Sequence, residues 1–404
     1  MPALEGMRIL DLTQYESGTA CTQSLAFLGA DVVKVERPGT GDPGRAVVSQ
    51  FGFEDSLYFL NWNANKRSVT LALETKAGRD VLLDMVPHYD VFIENFGPGV
   101  IDKLDLGYDV VRSRREDVLY ASIKGFGDDG PYADYKCFDM VAQAAAGAFS
   151  VTGDADGPPM RPGPTTGDSG TGVQMALAIT AAYVQRLRTG EGQYIELSMQ
   201  EAMTYFMRTA IAMGTDWGRQ AAPRQGSDFG PLVSLYACKP FGPNDYVYIM
   251  APTDRMWEAL AHTIGRQELI EDERFATGRG RFEHREELSE AIGTWCSRLD
   301  KHEAMRALAE AGVPASKVFD TMDLLDDPHL NERGFIETVE HPVQGAVRVL
   351  GWPARLSKSS VGLTLSPSLG EHTDAVVAED LGLRSEQVEA LRREGAFGPS
   401  KGKA

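Results

Sequence analysis

Apolar residues in the first two hundred positions fall into short runs, separated by stretches with helical spacing. Residues 7–12 form an apolar run of strand length. Residues 19–28 repeat their apolar positions at helical intervals and end at Gly29, and residues 31–36 read as a second strand closed by Arg37-Pro38-Gly39. A strand over 69–73, a helix over 76–86 and strands over 91–94 and 118–123 continue the alternation. The last two strands run into Asn95-Phe96-Gly97-Pro98-Gly99 and Gly125-Phe126-Gly127. Strand, helix, strand with short loops predicts the α/β class, with a mostly parallel Rossmann-like sheet flanked by helices. Ligands of such sheets bind beyond the carboxyl ends of the strands, which makes these loops the expected walls of a site.

Residues 171–187 predict a long helix closed by Arg188-Thr189-Gly190-Glu191-Gly192, then a strand over 194–197 and a helix over 200–213. The large domain is therefore expected over 1–213. Residues 214–231 carry no clear period and read as a linker or active-site loop. A strand pair (233–238 and 246–250) and helices over 254–264, 285–299 and 302–311 predict a smaller α+β domain over 232–330. Short strands at 335–339 and 347–350 and a helix over 373–381 follow, so 331–404 is expected to return to the large domain, which is then discontinuous. Residues 398–404 are expected to fray.

Composition narrows the function. The chain has 404 residues, 43% hydrophobic and 24% charged, which suits a folded enzyme and excludes a disordered or low-complexity chain. Its net charge of −18 argues against nucleic acid and against an anionic membrane surface, since both need a basic footprint. One small anionic ligand held by a few local cations stays compatible. Cys21, Cys137, Cys238 and Cys296 are far apart, form no C-x-x-C and read as reduced thiols of a cytoplasmic protein. No basic region followed by an apolar stretch marks a secretory signal, and the run over 175–184 is too short to span a bilayer.

Familiar motifs are absent. The turn Thr13-Gln14-Tyr15-Glu16-Ser17-Gly18-Thr19 lacks the glycines that let a pyrophosphate approach a helix start, and there is no Walker A loop. The seven histidines show neither H-x-x-H nor H-E-x-x-H spacing, so no metal is expected. Ser122 and Ser198 lie outside any G-x-S-x-G context. The densest signal is Gly167-Asp168-Ser169-Gly170-Thr171-Gly172, just before the long helix. Read plainly, Asp168 is a helix N-cap. Read chemically, it is an unhindered carboxylate, kept ionised by the helix dipole and flanked by free N–H groups able to hold an oxyanion. Such a group is suited to attack an activated acyl carbon.

Those stretches, taken together, resemble the family III coenzyme A-transferases, the group of formyl-CoA and carnitine CoA-transferases. The resemblance is carried by L-E-G-M-R-I-L-D-L-T (4–13), F-L-G-A-D-V-V-K-V-E-R-P (27–38), N-K-R-S-V-T-L (65–71) and E-N-F-G-P-G (94–99). S-I-K-G-F-G (122–127), G-D-S-G-T-G (167–172), T-G-E-G-Q (189–193) and G-E-H-T-D (370–374) complete it. It is close to about residue 205 and again at 370–382.

The resemblance implies a CoA-transferase with Asp168 as catalytic nucleophile, passing through an aspartyl–acyl anhydride and an aspartyl-CoA thioester. No cofactor is bound permanently; CoA and acyl-CoA are substrates, and a carboxylic acid is the acceptor. The family positions for CoA map onto Glu16, Ser17, Arg37, Leu71, Ala72, Leu73, Glu74, Asn95, Phe96, Gly97, Lys103, Lys136, Cys137, Phe138 and Asp139. Arg37, Lys103 and Lys136 would meet the phosphates by charge, or else be solvated surface cations. Glu16 departs from formyl-CoA transferase, which has glutamine there. Its carboxylate would repel a small anionic acyl group or bond to a hydroxylated or amine-bearing one, unless it is an ordinary helix-entry residue.

The stretch Arg224-Gln225-Gly226-Ser227-Asp228-Phe229-Gly230 is shorter and poorer in glycine than the loop covering the formyl-CoA transferase site. That favours a larger or partly apolar acid over formyl and oxalyl groups, with succinyl-CoA as donor and Arg224, Phe229 and Tyr236 near the acid. An interlocked homodimer is implied by resemblance alone. Two alternatives stand. One is an α-methylacyl-CoA racemase-like isomerase, for which Phe138 occupies the place of the needed histidine. The other is a CoA-binding subunit of a heteromeric transferase, which would show no acyl exchange.

Overall fold

The structure is a computed structural model and describes residues 1–47, 55–214, 216, 218–342 and 345–398. It divides into two compact units. The larger comprises Met1–Ser150, Met160–Ala222 and the chain from Gly334 onward; the smaller comprises Val151–Pro159 and Pro223–Arg333. Residues 151–159, read above as part of the first domain, thus belong to the smaller unit. So do residues 223–231, read as linker. Residues 399–404, expected to fray, lie outside the described residues.

Six strands build the large unit: β1 (Arg8–Asp11), β2 (Asp31–Glu36), β3 (Arg67–Thr70), β4 (Val91–Glu94), β5 (Leu119–Lys124) and β6 (Gln193–Ser198). They are all parallel, in the order β3-β2-β1-β4-β5-β6. The order reverses between β1 and β4. There the connections leave toward opposite faces and open a crevice at the carboxyl edge.

Side chains alternate across the sheet with a period of two. Ile9, Val32, Val91 and Leu119 enter one core; their neighbours Leu10, Val33, Phe92 and Tyr120 enter the other. Both faces are covered, which is why these strands read as continuous apolar runs. The helices are α1 (Ser17–Phe27), α2 (Leu57–Asn63), α3 (Lys76–Met85), α4 (Val100–Lys103), α5 (Tyr108–Arg114), α6 (Asp139–Ala145), α7 (Ser169–Thr189), α8 (Met199–Phe206) and α9 (Arg208–Gly214). Cys21 and Leu25 of α1 and Met175 and Ile179 of α7 pack on the first face; Leu82 of α3 and Val111 of α5 pack on the second. The single helix expected over 200–213 is interrupted at Met207. Val376 and Val377, from the helix Thr373–Leu381, complete the second face, and His372 N–H donates to Ser68 O on β3 at 2.9 Å.

The smaller unit holds β7 (Val233–Ala237), β8 (Tyr246–Met250) and β9 (Ala315–Lys317), an antiparallel sheet. Trp257, Phe275, Leu288 and Ile292 fill its core. Tyr236 is also in that core, 7% exposed, and its hydroxyl donates to Pro231 O at 2.5 Å. That burial corrects its placing above beside an acid. Arg224 donates to Gly157 O at 2.7 Å. No helix among the described residues is long and apolar enough to cross a membrane. A third sheet, the antiparallel pair of β10 (Ile336–His341) and β11 (Gly345–Leu350), belongs to the large unit.

Helices α1 and α7 come into tight contact near their amino ends. A Cβ on Gly172 would lie 2.4 Å from Ser17 O and 2.8 Å from Cys21 N, both backbone atoms that cannot swing aside. Gly172→Ala is expected to lower stability by about 1–3 kcal/mol, the usual cost of forcing atoms into a packed contact. Denaturant unfolding measures it, and an unchanged midpoint would show that the helices can part freely.

Candidate active site

The carboxyl edge of the sheet carries a cavity of about 620 Å³. Every strand contributes to its wall: Gln14, Tyr15 and Ser17 after β1, Glu36 and Arg37 at β2, and Leu71, Leu73 and Glu74 after β3. Asn95, Phe96 and Gly97 follow β4, Lys124 and Gly125 end β5, and Met199 follows β6. Asp168 closes one side with Lys136, Cys137 and Phe138. Asn95 ties the two loops at the switch point together: Gln14 N–H donates to its Oδ1 at 2.8 Å, and its Nδ2 donates to Gln14 O at 2.9 Å and to Ser17 Oγ at 3.1 Å.

Beneath the first loop lies a buried ionic chain. Lys66 reaches Asp11 at 3.1 Å and Asn63 Oδ1 at 2.8 Å; Lys34 reaches Asp42 at 2.9 Å and Thr13 O at 2.7 Å. Asp42 Oδ1 in turn accepts Tyr15 N–H at 3.0 Å, at a residue whose φ of +58° is costly for a side chain with a Cβ. Asp11 accepts from Thr13 and Thr22 as well. Burial lowers the Lys66 ammonium to about 8 despite Asp11. Such a network of paired buried charges fixes one loop conformation, and removing a partner would strand a buried charge.

Asp168 occupies the N-cap position of α7, but its side chain makes no capping bond. The capping role allowed by the sequence is therefore not the one it performs. The N–H groups expected to be free are also engaged. Asp168 N–H donates to Asp139 Oδ1 at 3.1 Å, Ser169 N–H to Thr165 O at 2.9 Å and Gly170 N–H to Thr166 O at 3.1 Å. A turn over 165–168 runs straight into the helix and consumes them. Gly167 permits this turn, since a Cβ there would lie 2.6 Å from Asp139 O.

Asp139 opens α6 and is buried; Gln143 Nε2 donates to both of its oxygens, at 2.9 and 2.8 Å. Glu16, at the N-cap of α1, accepts the Thr165 hydroxyl at 2.5 Å. The Asp168 carboxyl is pushed up to about 8, first by burial, then by the Glu16 and Asp139 charges. Glu16 is pushed up to about 7, first by burial, with Asp139 also raising it against the Thr165 and Tyr58 hydrogen bonds. The expectation that the helix dipole keeps Asp168 ionised is thus overridden by desolvation and like charge.

The fold brings most of the sequence-derived set together. Ser17, Arg37, Leu71, Leu73, Glu74, Asn95, Phe96, Gly97, Lys136, Cys137, Phe138 and Asp168 line the one cavity. Glu16, Ala72 and Asp139 are buried behind its wall, and Lys103 is exposed at the end of α4, off the lining. Burial first, then the Asp168 charge, pushes the Cys137 thiol up to about 11. Sequence reasoning missed Lys124, which lines the cavity and whose ammonium contacts both Glu94 oxygens at 2.8 and 3.0 Å and Phe96 O at 3.0 Å. It stands inside S-I-K-G-F-G, so a signal was there. Gln143 stands one helical turn after Asp139, in a short helix the sequence did not reveal, and only the fold brings Thr165 and Tyr58 to Glu16. The described residues hold no group of three or more His, Cys, Asp and Glu placed to bind a metal.

A Rossmann-ordered parallel sheet with an uncapped carboxylate on the wall of its switch-point cavity defines an α/β protein with a ligand-sized site at the carboxyl edge of its sheet. The model of CoA-transferase family III matches residues 4–373, and the chain belongs to that family and is a CoA-transferase. It is 40% identical to the formyl-CoA:oxalate CoA-transferase of Streptomyces avermitilis over 98% of this chain and 99% of that one. Identity and coverage are the same for the enzyme of that name from Streptomyces coelicolor. Among solved structures, a CaiB/BaiF family protein from Brucella suis superposes with a TM-score of 0.83 at 31% identity, over 94% of this chain and 99% of that one.

Because the folded state holds a proton on Asp168 up to about pH 8 and an unfolded chain releases it near 3.8, this group makes stability fall as pH rises between those values. Asp168→Asn removes that dependence. Its unfolding midpoint is expected to exceed that of the wild type at pH 8 and to match it more closely at the acid end of the window, followed by thermal melts across pH. A gain independent of pH would contradict the raised ionisation.

Proposed function

We propose that this chain moves CoA from an acyl-CoA donor to a free carboxylic acid through covalent intermediates on Asp168. The observation that carries the reading is the uncapped Asp168 carboxyl on the wall of a cavity large enough for a ligand. In its ionised form it attacks the thioester carbonyl; the C–S bond breaks, giving an aspartyl–acyl anhydride and CoA thiolate. The thiolate attacks the Asp168 carbonyl, releasing the donor acid and leaving an aspartyl-CoA thioester. The acceptor carboxylate attacks that thioester, and the expelled thiolate takes the acyl group from the new anhydride, restoring Asp168. Each step exchanges one acyl bond for another, so neither ATP nor a redox partner enters. A carboxylate raised by burial is a stronger nucleophile than a solvated one once it is ionised.

In this reading CoA lies along the carboxyl edge, its phosphates met by Arg37 and Lys136 on the wall and by Lys103 from the exposed end of α4. Ser17, Leu71, Ala72, Leu73, Glu74, Asn95, Phe96, Gly97, Cys137 and Phe138 shape the remainder. Succinyl-CoA is the donor favoured by the sequence reading; the relatives' names add formyl-CoA and oxalate as the second pair. An interlocked homodimer remains part of the proposal, as does an intact transferase rather than a binding subunit.

Asp168→Ala is expected to abolish transfer, with loss of at least about 10³-fold, while acyl-CoA binding persists. Wild-type rates in that variant would sink the assignment. Incubation with donor alone should load the enzyme, and hydroxylamine or borohydride should then modify the peptide containing Asp168, as read by mass spectrometry.

The closeness of the Asp139 carboxyl to that of Asp168, which its charge helps to raise, favours one second reading: proton exchange α to a thioester. Phe138, 60% exposed and edge-on to Tyr15 at 5.7 Å, offers no proton carrier. Solvent deuterium is expected not to enter the α-carbon of a branched acyl-CoA; its incorporation at a catalytic rate would establish the isomerase.

A further inference from the structure

Lys124 lines the cavity in a different way from Arg37 and Lys136. Those two are exposed, whereas Lys124 is 9% exposed and ends β5 beside Glu94, which is fully buried at the end of β4. Glu94 pairs with Ser122 across the two strands, and Lys124, two residues further on, points to the same face. An ammonium has three N–H donors. Three acceptors surround this one: Glu94 Oε1 at 2.8 Å, Glu94 Oε2 at 3.0 Å and Phe96 O at 3.0 Å. Glu94 Oε1 also accepts the Ser122 hydroxyl at 2.6 Å, and its Oε2 accepts Phe96 N–H at 2.8 Å. The ion pair thus holds both polar groups of the Phe96 backbone.

That hold orients the peptide between Phe96 and Gly97. The peptide is trans, so with Phe96 O turned to Lys124 the Gly97 N–H points the opposite way. It has no acceptor among the described residues, and Gly97 is exposed on the cavity lining. The next residue, Pro98, brings no N–H. The protein itself does not require a glycine at this position: Gly97 is not in the left-handed region, and a Cβ there would meet no atom within 4 Å. What a side chain would obstruct is the cavity.

We propose that Lys124, paired with Glu94, is a positioning residue for CoA: by holding Phe96 O it presents the Gly97 N–H to an oxygen acceptor of CoA. The inference rests on the reading that CoA lies along this edge of the sheet. Lys124 meets no phosphate itself, because its charge is answered by Glu94 and its donors are engaged. Its role is to keep the peptide from turning its N–H into the wall. A donor fixed in advance needs no ordering when the ligand arrives. Diphosphate oxygens and pantetheine carbonyls are both acceptors of the required kind.

Glu94→Gln and Lys124→Met, combined in one chain, form the test. The double variant strands no buried charge, keeps an oxygen for Phe96 N–H and releases Phe96 O. Dissociation constants of CoA and of its nucleotide half, ADP carrying the 3′-phosphate, are measured by titration calorimetry at several salt concentrations. CoA is expected to bind the double variant about tenfold more weakly, as the loss of one oriented hydrogen bond predicts. An equal loss with the nucleotide half puts the acceptor on the diphosphate; a loss confined to CoA puts it on the pantetheine arm. The salt dependence should match that of the wild type, since no contact between a cation and a phosphate has been removed. In donor labelling of Asp168, the half-saturating acyl-CoA concentration should rise by a similar factor, with a much smaller fall in the rate at saturation. Gly97→Ala, whose methyl group meets no protein atom, should fold normally and also weaken CoA. Wild-type CoA affinity in either variant overturns the proposal. So does a flattened salt dependence, which would make Lys124 a direct phosphate ligand. The two readings fail separately. If Arg37→Ala and Lys136→Ala weaken CoA and these variants do not, only the role of Lys124 falls; if none of them does, CoA does not lie along this edge.

Discussion

The close approach of α1 and α7 at their amino ends is the constraint on which the site depends. Gly172 has no Cβ, so the α7 backbone comes against Ser17 O, and the residues just outside each helix, Glu16 and Asp168, are carried to one place. Gly167 does the same toward Asp139 at the start of α6. Three carboxylates from distant parts of the chain then share a desolvated region. Neither helix propensity nor hydrophobic burial would choose that arrangement. It is imposed by glycine-sized contacts, backed by the apolar faces of both helices in one core.

That arrangement costs stability, and the cost is the chemistry. An isolated buried carboxylate rises in pKa; two near one another rise further and titrate as a coupled set. Asp168 and Glu16 both move upward for these reasons. The protein tolerates the strain because the loops around it are held rigidly. Asn95 spans the switch point, and the Asp11–Lys66 and Lys34–Asp42 pairs anchor the turn that carries Tyr15 and Glu16. Charge is balanced under the loop and left unbalanced at its surface. That contrast is what keeps the Asp168 carboxyl raised above its ordinary range.

The parallel sheet was legible because strands buried on both faces leave short apolar runs, and the glycine-containing loops after them mark the carboxyl edge. Short helices such as α2 and α6 were not, since their few turns carry too little periodicity, and α6 begins at a residue read as a ligand. Asp168 stood out by its glycines, yet two local expectations about it did not hold: its side chain does not cap α7, and the N–H groups beside it are occupied. Both depend on how residues 165–167 turn, and that turn is set by contact with Asp139 across the fold.

The residues alone determined the α/β alternation, the place of the loops, the family and the carboxylate at the head of the long helix, because each is written in local spacing or in contiguous motifs. Which carboxylates surround Asp168, that no cation answers them, and that Lys124 rather than Lys103 stands on the cavity wall were decided only when the chain folded. Electrostatic surroundings depend on distances between groups far apart in sequence and on the water excluded between them, and neither quantity exists before the helices pack.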